Sequence, residues 1–117
     1  MNFKEWLNEN ESQGILTLGQ VANVGTGMED ADFWIQRKGS ESTVGRVIRK
    51  PEGGPNFTKE YIGVKVRPEW AARILPQYLS YLMEHLWTQG VWRKYARGST
   101  KLMSIRTEDV RQCPIVQ

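Results

Sequence analysis

Leu75-Pro76-Gln77-Tyr78-Leu79-Ser80-Tyr81-Leu82-Met83-Glu84-His85-Leu86-Trp87 is the stretch on which the reading of the fold turns. Leu75, Leu79, Leu82, Met83, Leu86 and Trp87 recur at three- and four-residue intervals and build one apolar face of a helix. Pro76 suits the first turn of that helix, where a backbone N–H would have no partner within it. Gly90 suits the stop, because glycine adopts a left-handed conformation at little cost. A helix of this kind is stabilised mainly by packing its apolar face, so the rest of the chain must supply a surface.

The segments before it read as strands. Phe33 to Arg37, Thr43 to Ile48 and Tyr61 to Val66 are rich in β-branched and aromatic residues. Lys38-Gly39-Ser40 bounds the first, and Pro51-Glu52-Gly53-Gly54-Pro55-Asn56 is a loop. At the front, Asn2 can cap a short helix with Phe3, Trp6 and Leu7 on one face. After the main helix, residues from Val91 to Arg97 continue as a short helix, and Gly98-Ser99-Thr100 is a turn. Ser104-Ile105 is extended, Thr107 caps a further helical turn, and Pro114-Ile115-Val116 closes as a strand. The expected fold is α+β, a small twisted sheet packed on one main helix. Residues 1–14 form an N-terminal helix and polar connector, and residues 15–117 form the domain.

A chain of 117 residues with 39% hydrophobic and 25% charged residues has the composition of one ordinary globular domain rather than a disordered segment. A single cysteine excludes an internal disulfide. Lys4, Glu5, Asn8 and Glu9 break any apolar leader, and no run of about 18 apolar residues could span a membrane. A reducing cytoplasm is the expected location.

Little supports catalysis. His85 and Cys113 are the only soft metal ligands and lack motif spacing, so no metal or cofactor is expected. His85 reads as a half-buried structural histidine and Cys113 as a packed thiol. Glu108 and Asp109 are adjacent on a helical turn and point in different directions, which argues against cooperative acid–base work. Gly25-Thr26-Gly27 lacks the remainder of a nucleotide-binding fingerprint. The chain is expected not to be an enzyme.

The net charge of +3 is mild, so its distribution decides. Glu5, Glu9, Glu11, Glu29, Asp30 and Asp32 crowd the front. Cations cluster from Arg37 to Lys50 and from Arg93 to Arg106. Trp92-Arg93-Lys94-Tyr95-Ala96-Arg97-Gly98-Ser99-Thr100-Lys101 combines cations that can neutralise phosphates with hydroxyls that can fix register. Its aromatics could stack on bases or anchor the segment to the core.

These segments carry a resemblance. Tyr78-Leu79-Ser80-Tyr81-Leu82, Ala96-Arg97-Gly98-Ser99-Thr100, Ile105, Asp109 and Pro114-Ile115 are similar to the C-terminal half of a target-recognition domain of type I restriction–modification specificity subunits, a bacterial and phage family. Leu18-Gly19-Gln20-Val21-Ala22, Gly25-Thr26-Gly27, Phe33 to Gly39 and Val44-Gly45-Arg46-Val47 resemble its opening segment and central paired strands. The resemblance spans Ile15 to Val116 and covers one recognition domain, without a spacer helix. It implies non-catalytic binding of double-stranded DNA, with DNA methyltransferase or restriction subunits as further partners and no membrane. On this reading Arg93, Lys94, Arg97 and Lys101 contact phosphates. Ser99 and Thr100 support the turn or bind phosphate, and Arg46 and Arg49 approach a groove. The alternative is a protein-interaction or anti-restriction module that copies this fold and binds a restriction–modification complex.

Overall fold

A computed structural model describes residues 16–49, 60–99 and 101–115. The expected helix at Asn2–Leu7, the loop at Pro51–Asn56, and Lys50 and Thr100 lie outside these residues. The fold is α+β. Strands β1 (Leu16–Thr17), β2 (Ala22–Thr26), β3 (Phe33–Gln36), β4 (Lys38–Gly39), β5 (Val47–Ile48) and β6 (Tyr61–Val66) come first, with helix α1 (Leu18–Val21) between β1 and β2. A 3₁₀ turn at Pro68–Trp70 leads to the main helix α2 (Pro76–Thr88), and α3 (Val91–Tyr95) follows. Strands β7 (Arg97–Ser99) and β8 (Leu102–Ser104), helix α4 (Thr107–Arg111) and strand β9 (Pro114–Ile115) complete the order. Among the described residues no helix is long and apolar enough to cross a membrane.

The strands form three antiparallel sheets. Four strands run in the order β2-β6-β3-β5, three in the order β4-β8-β7, and β1 pairs with β9. Strand β6 is central, pairing with β2 along one edge and β3 along the other, and both of its faces are covered. Ile62 and Val64 stand opposite Ile35 and Phe33, and all four join the core with Leu79 and Met83 of α2. On the reverse face Trp34 pairs with Gly63, and its indole N–H donates to the Met28 carbonyl at 2.7 Å. A Cβ at Gly63 would stand 2.7 Å from the Met28 Cβ, so the loop after β2 lies directly on the sheet there. This cover buries the whole run Phe33-Trp34-Ile35 rather than alternate residues.

Several local expectations change. The strand expected over Thr43–Ile48 is reduced to Val47–Ile48. The Thr43 and Val44 N–H groups donate to the Ser40 carbonyl at 3.1 and 2.9 Å, and Thr43 Oγ1 accepts from the Ser40 N–H at 2.8 Å. That local closure, with Gly45 at φ +85°, holds a turn where β-branched residues suggested a strand. Lys38-Gly39, expected to bound a strand, is itself β4. Gly98 and Ser99 lie in β7 rather than in a turn. Arg106, not Thr107, caps α4: its N–H donates to the Asp109 carboxylate at 3.1 Å, and Thr107 is the first helical residue.

On α2, Pro76 opens the helix and Gly90 follows it at φ +72°, as its spacing predicts. The apolar face is narrower than expected. Leu79 and Met83 are fully buried, Leu82 and Leu86 only partly, and His85 is exposed rather than half-buried. Leu75 is 66% exposed because it caps the helix in an extended conformation and leaves the helical periodicity. Leu79→Ala should therefore cost about 2–5 kcal/mol and Leu82→Ala clearly less. Equal shifts of the urea midpoint would show that the helix is rotated from this placement.

Candidate nucleic-acid interface

The two cation-rich stretches, far apart in sequence, meet in two places. The first is the three-stranded sheet. Lys38 of β4 pairs with Ser104 of β8, and Ser104 pairs on its other side with Arg97 of β7. Adjacent strands lie about 4.8 Å apart, so Lys38 and Arg97 stand about 10 Å apart across one row. Both are exposed. The chain reaches β4 directly from the core sheet: Arg37 N–H donates to the Glu60 carbonyl, and the Arg37 carbonyl accepts from Ile105 N–H. Arg37 is thus the hinge between the two sheets.

The second meeting point is Gly45 against Trp92. Trp92 is 2% exposed, and a Cβ added at Gly45 would lie 2.8 Å from the Trp92 Cβ. The 41–45 turn and α3 are therefore in direct contact, with Arg46 beside Gly45 and Arg93 and Lys94 beside Trp92. All three cations are exposed. The aromatic residues of this segment anchor it: Trp92 is buried and Tyr95 is half-buried, its phenol pushed above its ordinary pKa mainly by desolvation.

The expected site residues divide into two groups. Arg46, Arg93, Lys94, Arg97 and Lys101 are exposed and make no ion pair with another described residue. Lys38, which the sequence reading did not single out, belongs with them, because β4 sets it beside the second stretch. Arg49 is engaged elsewhere. Its guanidinium pairs with Glu84 of α2 at 2.9 Å and lies 5.0 Å over the Tyr81 ring. The Glu84 hydrogen bond favours the charged guanidinium and holds the Glu84 carboxyl below the usual carboxylate range. Arg106 pairs with Asp109 at 3.6 Å. Ser99 supports the hairpin, its hydroxyl accepting from Leu102 N–H at 3.3 Å. Thr100 lies outside the described residues.

Charge is separated along β3. Glu29, Asp30 and Asp32 precede its first residue, while Arg37 and Lys38 follow its last. The acids have local partners: Asp30 pairs with Lys65 at 3.8 Å, and Asp32 accepts from Val66 N–H at 2.8 Å.

Gly98 shapes the hairpin. It has φ +109°, and a Cβ there would run into the Leu102 carbonyl oxygen across the strand pair. Ala96 ends α3, and Gly98 sits inside β7. Gly98→Val should lower the Tm and weaken any binding that uses the hairpin, because strain of this kind costs about 1–3 kcal/mol. An unchanged Tm would contradict the positive-φ geometry.

Among the described residues no cluster of three or more His, Cys, Asp or Glu side chains could hold a metal ion. Cys113 is buried, and desolvation pushes its thiol up to about 12. A separate apolar groove of about 690 Å³ is lined by Leu16, Trp70, Arg73, Ile74, Leu75, Tyr78 and Ile115. Comparisons with protein-family models, curated proteins and solved structures found no match to this chain.

Proposed function

We propose that this chain is a non-catalytic module that binds double-stranded DNA through its phosphates, in the manner of one target-recognition domain of a type I restriction–modification specificity subunit. The observation that carries the reading is that the fold brings the two cation-rich stretches together, Lys38 of β4 and Arg97 of β7 on either side of Ser104 and Gly45 against Trp92, while Lys38, Arg46, Arg93, Lys94, Arg97 and Lys101 are exposed and without ion pairs to other described residues. Exposed cations without carboxylate partners among the described residues favour a polyanion. No cofactor is needed for such binding. Methyltransferase or restriction subunits follow as partners from the resemblance alone.

The test is a mobility-shift titration with random-sequence duplex DNA at several salt concentrations. Lys94→Ala and Arg97→Ala should each reduce the slope of log K against log salt by about one, with the Tm unchanged. A second reading, a protein-interaction or anti-restriction module, is favoured by the apolar groove and by Leu75, Tyr78 and Tyr81, which are 66%, 43% and 62% exposed. Binding indifferent to salt and to these two substitutions would select it.

A further inference from the structure

Helix α2 turns a row of rings outward. Tyr78, Tyr81 and His85 stand at i, i+3 and i+7, a spacing that keeps them on one side of the helix, and all three are exposed. The opposite side holds Leu79 and Met83 in the core. Tyr81 is 62% exposed and Tyr78 43%. Exposed rings add little to the fold, and rings set in a row rather than scattered singly mark a binding face.

A cation is already seated in this row. The Arg49 guanidinium lies 5.0 Å from the centre of the Tyr81 ring and pairs with Glu84 at 2.9 Å. That pair leaves the Glu84 carboxylate compensated. The chain from Gly45 to Arg49 then joins the row to the cationic face. Gly45 meets Trp92 of α3, β5 packs on α2, and Arg49 reaches Glu84 and Tyr81. These residues therefore run back along the two helices, over at most about 13 Å. Arg46 lies at the α3 end, beside the segment that bears Arg93 and Lys94, and Tyr81 lies at the other.

Resting on the DNA-binding reading, we propose that the outer face of α2 is a site for the unpaired bases of single-stranded DNA, with Tyr81 stacking on a base and the phosphates running on to Arg46, Arg93 and Lys94. Rings beside cations are the two elements of single-strand binding: any base can stack on a ring, and the cations follow the backbone. A duplex keeps its base faces within its own stack and offers this row nothing. Arg49, held by Glu84, restricts the Tyr81 ring, which lowers the entropy lost when a base settles on it. The adjoining cations favour this occupant over an apolar protein surface, which would leave them without a counter-charge.

The probe is a strand of about 20 thymidines, longer than one such site needs, against a strand of equal length built from abasic sugar–phosphate units. Both carry the same phosphates, and only the first has bases. The parent protein should bind the thymidine strand about five- to 150-fold more tightly, the range for one base stacked on an aromatic ring. Tyr81→Ala should lower that preference by at least about fivefold, and Tyr81→Phe should retain it. In both variants the Tm and the salt slope on the abasic strand should stay as in the parent. Equal affinity of the parent for the two strands, with the salt slope retained, would overturn the base site and leave phosphate binding standing. A preference that survives in Tyr81→Ala, or that is lost in Tyr81→Phe, would also overturn it. Binding of both strands that is indifferent to salt would instead remove the DNA-binding reading, and this site with it.

Discussion

Trp92→Ala should lower the unfolding free energy by about 3–5 kcal/mol, a large share of the roughly 5–15 kcal/mol that stabilises a domain. Trp92 is 2% exposed and lies against Gly45, where φ +85° and the lack of a Cβ let the ring approach the backbone. Truncation leaves a cavity at the joint between the 41–45 turn and α3, which neither can close without moving. Its indole N–H has no hydrogen-bond partner among the described residues. Trp92→Phe, which removes that unpaired donor and keeps a ring, should therefore cost less than about 2 kcal/mol. Gly45→Val should act like the alanine variant, since it meets the same ring from the other side and takes a strained φ. Urea unfolding measures all three. An unchanged midpoint in Trp92→Ala would mean that the two basic stretches are not held together here.

Replacing Lys94 and Arg97 together by glutamate should weaken DNA binding by at least about 60-fold at 0.1 M salt. Binding scales with salt to the power of about −0.9 for each phosphate neutralised, so one contact is worth about eightfold at 0.1 M relative to 1 M. Two lost contacts multiply to about 60-fold, and the new carboxylates add repulsion. The Tm should move little, because both side chains are exposed and form no ion pair with other described residues. The contrast with Trp92→Ala is the informative part: one change weakens the joint that presents the face, the other removes only its charge. Fluorescence anisotropy with labelled duplex DNA reads the affinity, and a loss below threefold would take these two side chains out of the interface.

What could be read from the sequence follows the length of each element. Helix α2 and strand β6 carry several periods of pattern and were placed to within a residue or so, Pro76 and Gly90 included. Strands of two residues carry no period, so β4, β5 and the partition into three sheets were not legible. Thr43-Val44 was misread because β-branched residues favour a strand only where nothing local competes. Here the Ser40 carbonyl and the Thr43 hydroxyl close a turn. The site shows the same limit. The cations can be counted in the sequence, but their meeting depends on β4 pairing with β8 and on Gly45 meeting Trp92. Arg49 reads as a free cation in the sequence because its partner Glu84 lies 35 residues away and only the fold brings it near. Lys38 carries no such signal in the sequence, where Lys-Gly-Ser reads as a boundary.

The claim that the convergent cations hold phosphates is tested most directly by titrating the unmodified protein with random-sequence duplex DNA across a salt series. With about four of the exposed cations on phosphates, log K should fall against log salt with a slope of about −3 to −4, a loss of roughly a hundredfold between 50 and 200 mM. Affinity that does not change over that range would contradict the account.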